Sequence, residues 1–473
     1  MKKLILLLIL LPTIAFAAVG DNGYEGGISG YIPNQDEMDY KEVVLVSGVP
    51  TIFEGTVEVK ASGGKEDESA TYKYTLTNES NTLVREVILK TESEEKPNGQ
   101  TLKNTSIEKF TETVTIGGTA YKLNHYDLTK TSVHENRPIG DYFRGNLTIR
   151  KEYAVGSNKI PLIIEGNGTF KGYDNWYSSN ETMKMDYVVS YIDKNNPDSS
   201  YTGKASFLVS GIDTKKIIST GDGQINSSID QGYMLIQNSI NKLEYETEFP
   251  EFAGNRPTDY IIKKKDAIKY ETFPQKLRLP IYTIQGIRGH WAEADLRKAF
   301  SMDIMDEWDG TTTANRAVTR GEFTKILALA LKKDIPEVAE DAKAVYRDVK
   351  PSNKYYRYIK FLTDEGVIVG VGSSKFNPNE TITRAEAITM IVRALGFQDN
   401  APEPLPYLNF NDRDDIPNWS AKFIYVGNSI GMINGDEYQN VNARKALTKG
   451  EIATMVIRFI EYLNDGLEAT YLY

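Results

Sequence analysis

The chain has 473 residues, a net charge of −10 and no cysteine. Its length is sufficient for two or three domains, and its acidic balance argues against a nucleic-acid partner. Because cysteine is absent, the chain has neither disulfides nor a thiol nucleophile, and its stability must come from packed cores.

Residues 1–17 have the composition of a secretory signal peptide. Lys2 and Lys3 precede an apolar run from Leu4 to Leu11, and Ala15-Phe16-Ala17 offers a small-x-small cleavage site. The apolar run is too short for a spanning helix with normal flanks. No cysteine follows the cleavage site, which excludes lipid attachment there. We therefore predict a secreted protein without a transmembrane anchor.

Residues 18–283 show the alternation that is typical of antiparallel strands. Apolar and polar residues alternate with period two in four segments, at residues 56–60, 71–76, 146–150 and 205–209. Turns rich in glycine, asparagine and proline separate these segments, and no long helical stripe occurs before Asp295. The pattern predicts an all-β region of antiparallel sheets, of the β-sandwich type, with one buried and one solvated face.

A faint repeat lies inside this region. The segment from Val49 to Lys60 resembles the segment from Ile160 to Lys171, at an offset of 111 residues. We interpret it as a duplication that gives β subdomains at 40–140 and 145–250, side by side or joined in one extended sheet; chance similarity is the alternative. Residues 250–283 contain four prolines and are expected to form a linker or the last strand of the β region.

The C-terminal part repeats a five-residue pattern three times, at spacings of 64 and 65 residues. The three copies are Val318-Thr319-Arg320-Gly321-Glu322, Ile382-Thr383-Arg384-Ala385-Glu386 and Leu447-Thr448-Lys449-Gly450-Glu451. Each threonine with the glutamate three residues later predicts a capping box at a helix start. In the second copy, residues 355–365 are predicted as a preceding helix that ends at Gly366 in the left-handed conformation. An array of small helical units is therefore expected.

These residues resemble S-layer homology (SLH) modules. That family shows an aromatic-rich first helix, a glycine-rich loop with Phe-x-Pro, and an Ile-Thr-Arg-Ala-Glu start to the second helix. The second copy matches throughout, the first contains Gly289-His290-Trp291-Ala292, and the third has Lys449 in place of arginine. The resemblance implies three modules, at 284–340, 341–403 and 404–465, in an all-α bundle with pseudo-threefold symmetry.

The resemblance also implies a ligand, an acidic and often pyruvylated secondary cell-wall polysaccharide bound between adjacent copies. A helix N-terminus favours an anion, and arginine offers a planar donor pair to a carboxylate. The expected contact residues are Arg320, Arg384, Lys449, Trp291 and Trp419. The alternatives are that the cations form surface ion pairs and that the tryptophans only pack. The expected structural caps are Thr319, Glu322, Thr383, Glu386, Thr448 and Glu451.

The β region carries no motif for catalysis. The three histidines are His125, His134 and His290, and neither a Gly-x-Ser-x-Gly elbow nor a His-Glu-x-x-His motif occurs. We expect no enzyme, metal or cofactor, and an outward β region that acts as a layer component, adhesin or ligand-binding domain, with self-association as one option. The alternative is a wall-anchored carbohydrate hydrolase that uses a carboxylate pair.

Overall fold

A computed structural model describes residues 26–30, 37–63, 67–97, 99–156, 160–193, 196–220, 232–254, 256–271, 274–282, 284, 286–306, 314–339 and 341–466. The predicted signal peptide at 1–17 lies outside the described residues. None of the helices in the described part of the chain is long and apolar enough to cross a membrane.

The N-terminal part forms one 14-stranded antiparallel sheet in which consecutive strands are neighbours, from β1 to β13, and β14 pairs with β12. The strands are β1 (Gly27–Gly30), β2 (Glu37–Val44), β3 (Thr51–Gly63), β4 (Asp67–Asn78), β5 (Asn81–Glu95), β6 (Gln100–Ile116), β7 (Thr119–Arg137), β8 (Gly140–Val155), β9 (Ile160–Asn175), β10 (Ser178–Tyr191), β11 (Tyr201–Ser219), β12 (Tyr233–Ala253), β13 (Arg256–Glu271) and β14 (Gln275–Arg278). The four segments predicted from alternation lie in β3, β4, β8 and β11.

The sheet curls, so that its first strand packs against its last ones. The Asn241 side chain of β12 donates a hydrogen bond of 2.8 Å to the Ser29 carbonyl of β1. A side chain at Gly30 would lie 3.3 Å from the Tyr270 ring of β13. The inner face thereby encloses a core, with residues such as Tyr74, Met185 and Tyr245 fully buried. Alternation with period two places these residues on one face.

The sheet corrects the expected arrangement of the β region. The described strands belong to one continuous sheet rather than to the two separate sheets of a β-sandwich, and residues 40–140 and 145–250 are joined within it. Positions that the 111-residue offset relates, such as Tyr72 and Met183, both face the inner core. Residues 250–283, for which a linker or the last strand of the β region was expected, contain all of β13 and β14, and both strands pair with β12.

The C-terminal part consists of three helix pairs. The helices are α1 (Glu293–Ser301), α2 (Arg320–Ala330), α3 (Tyr356–Asp364), α4 (Arg384–Ala394), α5 (Asn418–Ser429) and α6 (Lys449–Glu461). The packing is cyclic, because α2 contacts α3, α4 contacts α5, and α6 contacts α1. The second helix of each pair therefore packs on the first helix of the next pair, and the last pair closes on the first.

The sheet and the helices share a hydrophobic core. The tip of the β9–β10 hairpin inserts Tyr177 among the helices, where its hydroxyl donates a 2.6 Å hydrogen bond to the Ala330 carbonyl of α2. Ser178 donates likewise to the Leu463 carbonyl beyond α6, at 2.6 Å. The side chain of Lys332 lies 5.6 Å from the Trp176 ring. These contacts fix the helical part against one end of the sheet.

Candidate functional site

Each of the three repeated motifs begins a helix with a complete capping box. The side chains of Thr319, Thr383 and Thr448 each accept a hydrogen bond from the backbone N–H three residues later, and the glutamate at that position accepts from the threonine N–H. The two bonds satisfy amide groups that a helix N-terminus leaves without partners. The predicted caps are therefore present in all three second helices.

A ring of backbone hydrogen bonds joins the three motifs. The Val318 amide donates to the Leu447 carbonyl at 2.9 Å, the Leu447 amide to the Ile382 carbonyl at 3.0 Å, and the Ile382 amide to the Val318 carbonyl at 2.9 Å. The three second helices thus begin around a common centre. The cyclic contacts make each helix start part of a seam with the next pair.

The repeated cations lie in these seams, and each acts on the capping glutamate of the next pair. The Arg320 guanidinium forms an ion pair with Glu386, and that of Arg384 with Glu451 at 2.7 Å. We call these contacts, together with the electrostatic action of Lys449 on Glu322, the cation–glutamate ring. Its cyclic order follows the packing of the helices.

The surroundings of Glu322 favour its charged form. Burial acts to raise the pKa of Glu322, but hydrogen bonds from Arg316 and from the Thr319 amide, together with the positive charges of Arg316 and Lys449, outweigh it. The pKa therefore lies below its usual range. Each of the three glutamates caps its own helix, and Glu386 and Glu451 also form ion pairs with the cation of the preceding pair.

The three cations differ in accessibility, which the sequence did not reveal. The side chain of Arg320 is 6% exposed, its Nε donates to the Phe376 carbonyl at 2.8 Å, and its guanidinium lies 4.7 Å from the Phe376 ring. Lys449 is 3% exposed and lies over the ring of Phe300. The Arg384 side chain keeps 21% exposure, and among the described residues its buried Nε has no hydrogen-bond acceptor.

The two predicted tryptophans lie on the surface. Trp291 is 65% exposed and precedes α1. The ring of its neighbour His290 lies close to Gly450 in the first turn of α6, since a Cβ added at Gly450 would be 3.0 Å from that ring. Trp419 is 54% exposed in the first turn of α5, the helix on which the Arg384 helix packs. The structure thus places one tryptophan beside the α6–α1 seam and the other on a helix of the α4–α5 seam.

An aspartate positions the loop before the second helix in two of the pairs. Asp348 accepts hydrogen bonds from the Phe376 and Asn377 amides at 2.9 and 2.7 Å. Asp412 accepts from the Val441 and Asn442 amides at 2.8 and 2.7 Å in the same way. The equivalent spacing of the two aspartates, each near the start of its copy, is the sequence signal for this role.

The sheet contains a hydrogen-bonded chain that the sequence did not indicate. Ser132 Oγ lies 3.0 Å from His134 Nε2, and His134 Nδ1 lies 2.6 Å from Asp141 Oδ2. This is the order of a serine–histidine–aspartate triad. Ser132 is only 5% exposed, however, and the concave regions of the outer face described below are lined by other residues. A buried hydroxyl cannot reach a polymeric substrate in this conformation.

The outer face of β7–β11 forms an open trough of about 730 Å³ that contains three carboxylates. Their side chains are well exposed, at 67% for Asp127, 53% for Glu165 and 57% for Asp186. Glu165 pairs with Arg150, and Asp186 accepts a hydrogen bond from Ser206 at 2.5 Å. A glycosidase acid is usually kept protonated by an apolar pocket, and the solvation of these groups provides no such pocket.

Comparison with known proteins identifies one segment of the chain. The S-layer homology domain matches residues 345–388, which include α3, the loop held by Asp348 and the start of α4. An endoglucanase of Bacillus sp. (strain KSM-635) is 30% identical over 122 residues, 26% of this chain and 12% of the endoglucanase.

Two further relatives are an exoglucanase and a surface-layer protein. The exoglucanase XynX of Acetivibrio thermocellus is 29% identical over 186 residues, 39% of this chain and 17% of the exoglucanase. The surface-layer 125 kDa protein of Lysinibacillus sphaericus is 25% identical over 161 residues, 33% of this chain and 13% of that protein. The chain thus spans 12 to 17% of the length of these three relatives. The S-layer homology match and the surface proteins among the relatives support a location at the cell-wall surface.

Proposed function

We propose that the C-terminal part anchors this protein non-covalently to the bacterial cell wall by binding an acidic polysaccharide. The observation that carries the proposal is the S-layer homology match at 345–388, whose capping box and loop geometry recur in the third pair. The cyclic packing of the helix pairs supports three modules with pseudo-threefold symmetry, at 284–340, 341–403 and 404–465.

Accessibility determines which of the predicted residues we assign to the ligand. Arg384 is the best candidate cation, because its side chain is 21% exposed whereas Arg320 and Lys449 are buried. A carboxylate, such as that of a pyruvylated sugar, would form a charge-assisted hydrogen bond with the exposed part of its guanidinium. Trp291 and Trp419 offer exposed rings to the apolar face of a sugar. We assign Arg320 and Lys449 to the cation–glutamate ring, since both are buried.

We propose that the sheet is the outward part of the protein, as a layer component, adhesin or ligand-binding domain. Similarity to glucanases favours a carbohydrate hydrolase as the alternative. However, the glucanases and the surface-layer protein align with this chain over only 122 to 186 residues, which is at most about the length of residues 284–465. A wall-binding part shared by all these proteins therefore explains the similarity to glucanases and to surface proteins alike. The exposed carboxylates of the outer face also lack the apolar environment that a general acid requires.

The test uses the full chain, because the helices and the sheet share a core. Sedimentation with purified wall sacculi of the host should show binding by the natural protein. Arg384→Ala and Trp419→Ala should each reduce the affinity about tenfold, as expected for loss of a charge-assisted contact or of a sugar-stacking ring. Tyr260→Ala provides the matched control, because Tyr260 is an aromatic residue of β13 with 67% exposure.

The ligand chemistry is tested on the wall itself. Mild acid removes ketal-linked pyruvate, and sacculi treated in this way should no longer sediment the protein. If binding persists after this treatment but is lost in Arg384→Ala, the ligand carries another acidic group. If both variants bind like the natural protein, the anchoring site lies elsewhere and the proposal is refuted.

A further inference from the structure

A second open trough, of about 500 Å³, crosses β7 to β10 on the outer face of the sheet. Its charged lining residues are Arg144 on β8, Lys171 on β9 and Lys184 on β10. The remaining polar lining consists of threonine hydroxyls and the Asn146 amide. The volume lies within the range of pockets that bind small ligands. In a chain with a net charge of −10, a trough with basic groups and no acidic ones is unusual.

The strand register shows that this arrangement departs from the rest of the outer face. Five basic residues there are opposite an acid on the neighbouring strand and form an ion pair with it. The pairs are Lys41 with Glu54, Lys73 with Glu86, Arg150 with Glu165, Lys263 with Glu248, and Lys265 with Glu246. Directly opposite charges of unlike sign stabilise a sheet, and like charges destabilise it.

In this second trough, which we call the basic trough, Arg144 is directly opposite Lys171. Another basic pair in the described strands, Lys242 opposite Lys269, shows how such repulsion is normally relieved. Each of those two lysines forms an ion pair with a glutamate two residues further along its own strand, Glu244 and Glu271.

Arg144 and Lys171 have no such compensation. Their neighbours two residues away on the same strand are Tyr142 and Asn146 for Arg144, and Thr169 and Tyr173 for Lys171. Among the described residues neither cation has a carboxylate within ion-pair distance. No carboxylate of the described residues therefore forms an ion pair that would offset the repulsion between the two side chains.

The remaining charges near the trough are already engaged. The amine of Lys184 lies 3.7 Å from Asp186, on the side toward the larger trough. Glu135 interacts electrostatically with Arg144, but its carboxylate accepts hydrogen bonds from Gln100 at 2.9 Å and from Arg137 at 2.7 Å. An external anion is thus the group that would neutralise the Arg144–Lys171 pair.

We propose that this trough binds a carboxylate-bearing segment of an acidic glycan. Arg144 and Lys171 lie on neighbouring strands, and Lys184, although it is close to Asp186, lies on the next strand; this spread suits successive acidic sugar units better than one compact anion. The guanidinium binds a carboxylate through two parallel hydrogen bonds, and the threonine and asparagine groups suit sugar hydroxyls. This inference rests on the proposed function, because anchoring at the cell wall is what places the sheet next to such a glycan.

The site would add a second contact with the wall polymer. Two linked sites on one polymer raise the overall affinity through a high effective concentration, without further contacts at either site. The sheet would then do more than face outward, because it would orient the protein along the glycan.

The test measures binding of trigalacturonate to the full chain by calorimetry, with its methyl ester as the uncharged control. All protein variants in this assay also carry Arg384→Ala, so that binding at the α4–α5 seam does not contribute to the measured heat. We expect trigalacturonate to bind and the ester not to bind. Arg144→Gln and Lys171→Gln should each weaken binding about tenfold, as expected for loss of a charge-assisted hydrogen bond. Lys242→Gln is the matched control and should leave the affinity unchanged.

Three outcomes would overturn the inference: absence of trigalacturonate binding, equal binding of the methyl ester, or undiminished binding in Arg144→Gln and Lys171→Gln. Preferential binding of inorganic pyrophosphate would also contradict it, because the trough would then be a phosphate site. Failure here is distinguishable from failure of the anchoring proposal. The trigalacturonate assay depends on Arg144 and Lys171, whereas the fall in sacculi sedimentation caused by Arg384→Ala or Trp419→Ala tests the anchoring proposal.

Discussion

Replacing Arg320 by alanine tests whether the cation–glutamate ring holds the helix pairs together. The Arg320 side chain is 6% exposed and its partner Glu386 is 23% exposed, so the pair is largely shielded from water. Removal of one partner of a buried ion pair costs about 3–5 kcal/mol. Because Glu386 keeps some solvent contact, the lower end applies, about 3 kcal/mol. For a part of this size, such a loss lowers Tm by roughly 6–12 °C.

Thermal unfolding followed by circular dichroism at 222 nm measures this change, because α-helices have a strong band at that wavelength. Arg320→Lys is the informative control, since the third copy carries Lys449 at the equivalent position. It keeps the charge but loses the hydrogen bond to the Phe376 carbonyl, and should cost only about 1 kcal/mol. If Arg320→Ala melts within 2 °C of the natural protein, on the order of less than 1 kcal/mol, the ring contributes little and our account of the seams is wrong.

Three other predictions concern separate features. Burial raises the pKa of Asp174 to about 6, so the folded state binds this proton more tightly than the unfolded chain, and stability falls as pH rises from about 4 to 6. Asp174→Asn should therefore stabilise the protein by about 1–3 kcal/mol at pH 7 but not at pH 4, as urea unfolding at both pH values would reveal. Gly321→Ala would place a Cβ 2.3 Å from the Tyr355 ring and should cost about 1–3 kcal/mol, measured by the same method. A fluorophosphonate probe should not label Ser132, because its hydroxyl is buried; labelling detected by mass spectrometry would show that Ser132 is an accessible, activated nucleophile.

Local structure was largely predictable in both parts of the chain. The capping boxes follow from a threonine and a glutamate three residues apart, and Gly366 has the left-handed φ of 72° expected after a helix. The strands at residues 71–76 and 205–209 follow from alternation alone. Such features depend on neighbours within a few residues, so a single sequence contains the information.

The candidate sites were less predictable, because they depend on which strands and helices meet. The repeated cations were found by spacing, but spacing cannot distinguish the buried Arg320 from the partly exposed Arg384. The contact of Ser132 with His134 depends on side-chain rotamers, and that of His134 with Asp141 on the β7–β8 pairing. The opposition of Arg144 and Lys171 depends on the β8–β9 register, and a shift by one residue would move every side chain to the other face.

The amino-acid sequence by itself determined the two kinds of secondary structure, the threefold repetition and the helix caps, because periodicity and capping are local properties of the chain. The tertiary structure alone decided that the strands form one curled sheet, that Tyr177 joins it to the helices, and that two of the three repeated cations are buried. The physical reason is that burial, charge pairing and access to a ligand arise from contacts between residues far apart in the chain, which local patterns do not encode.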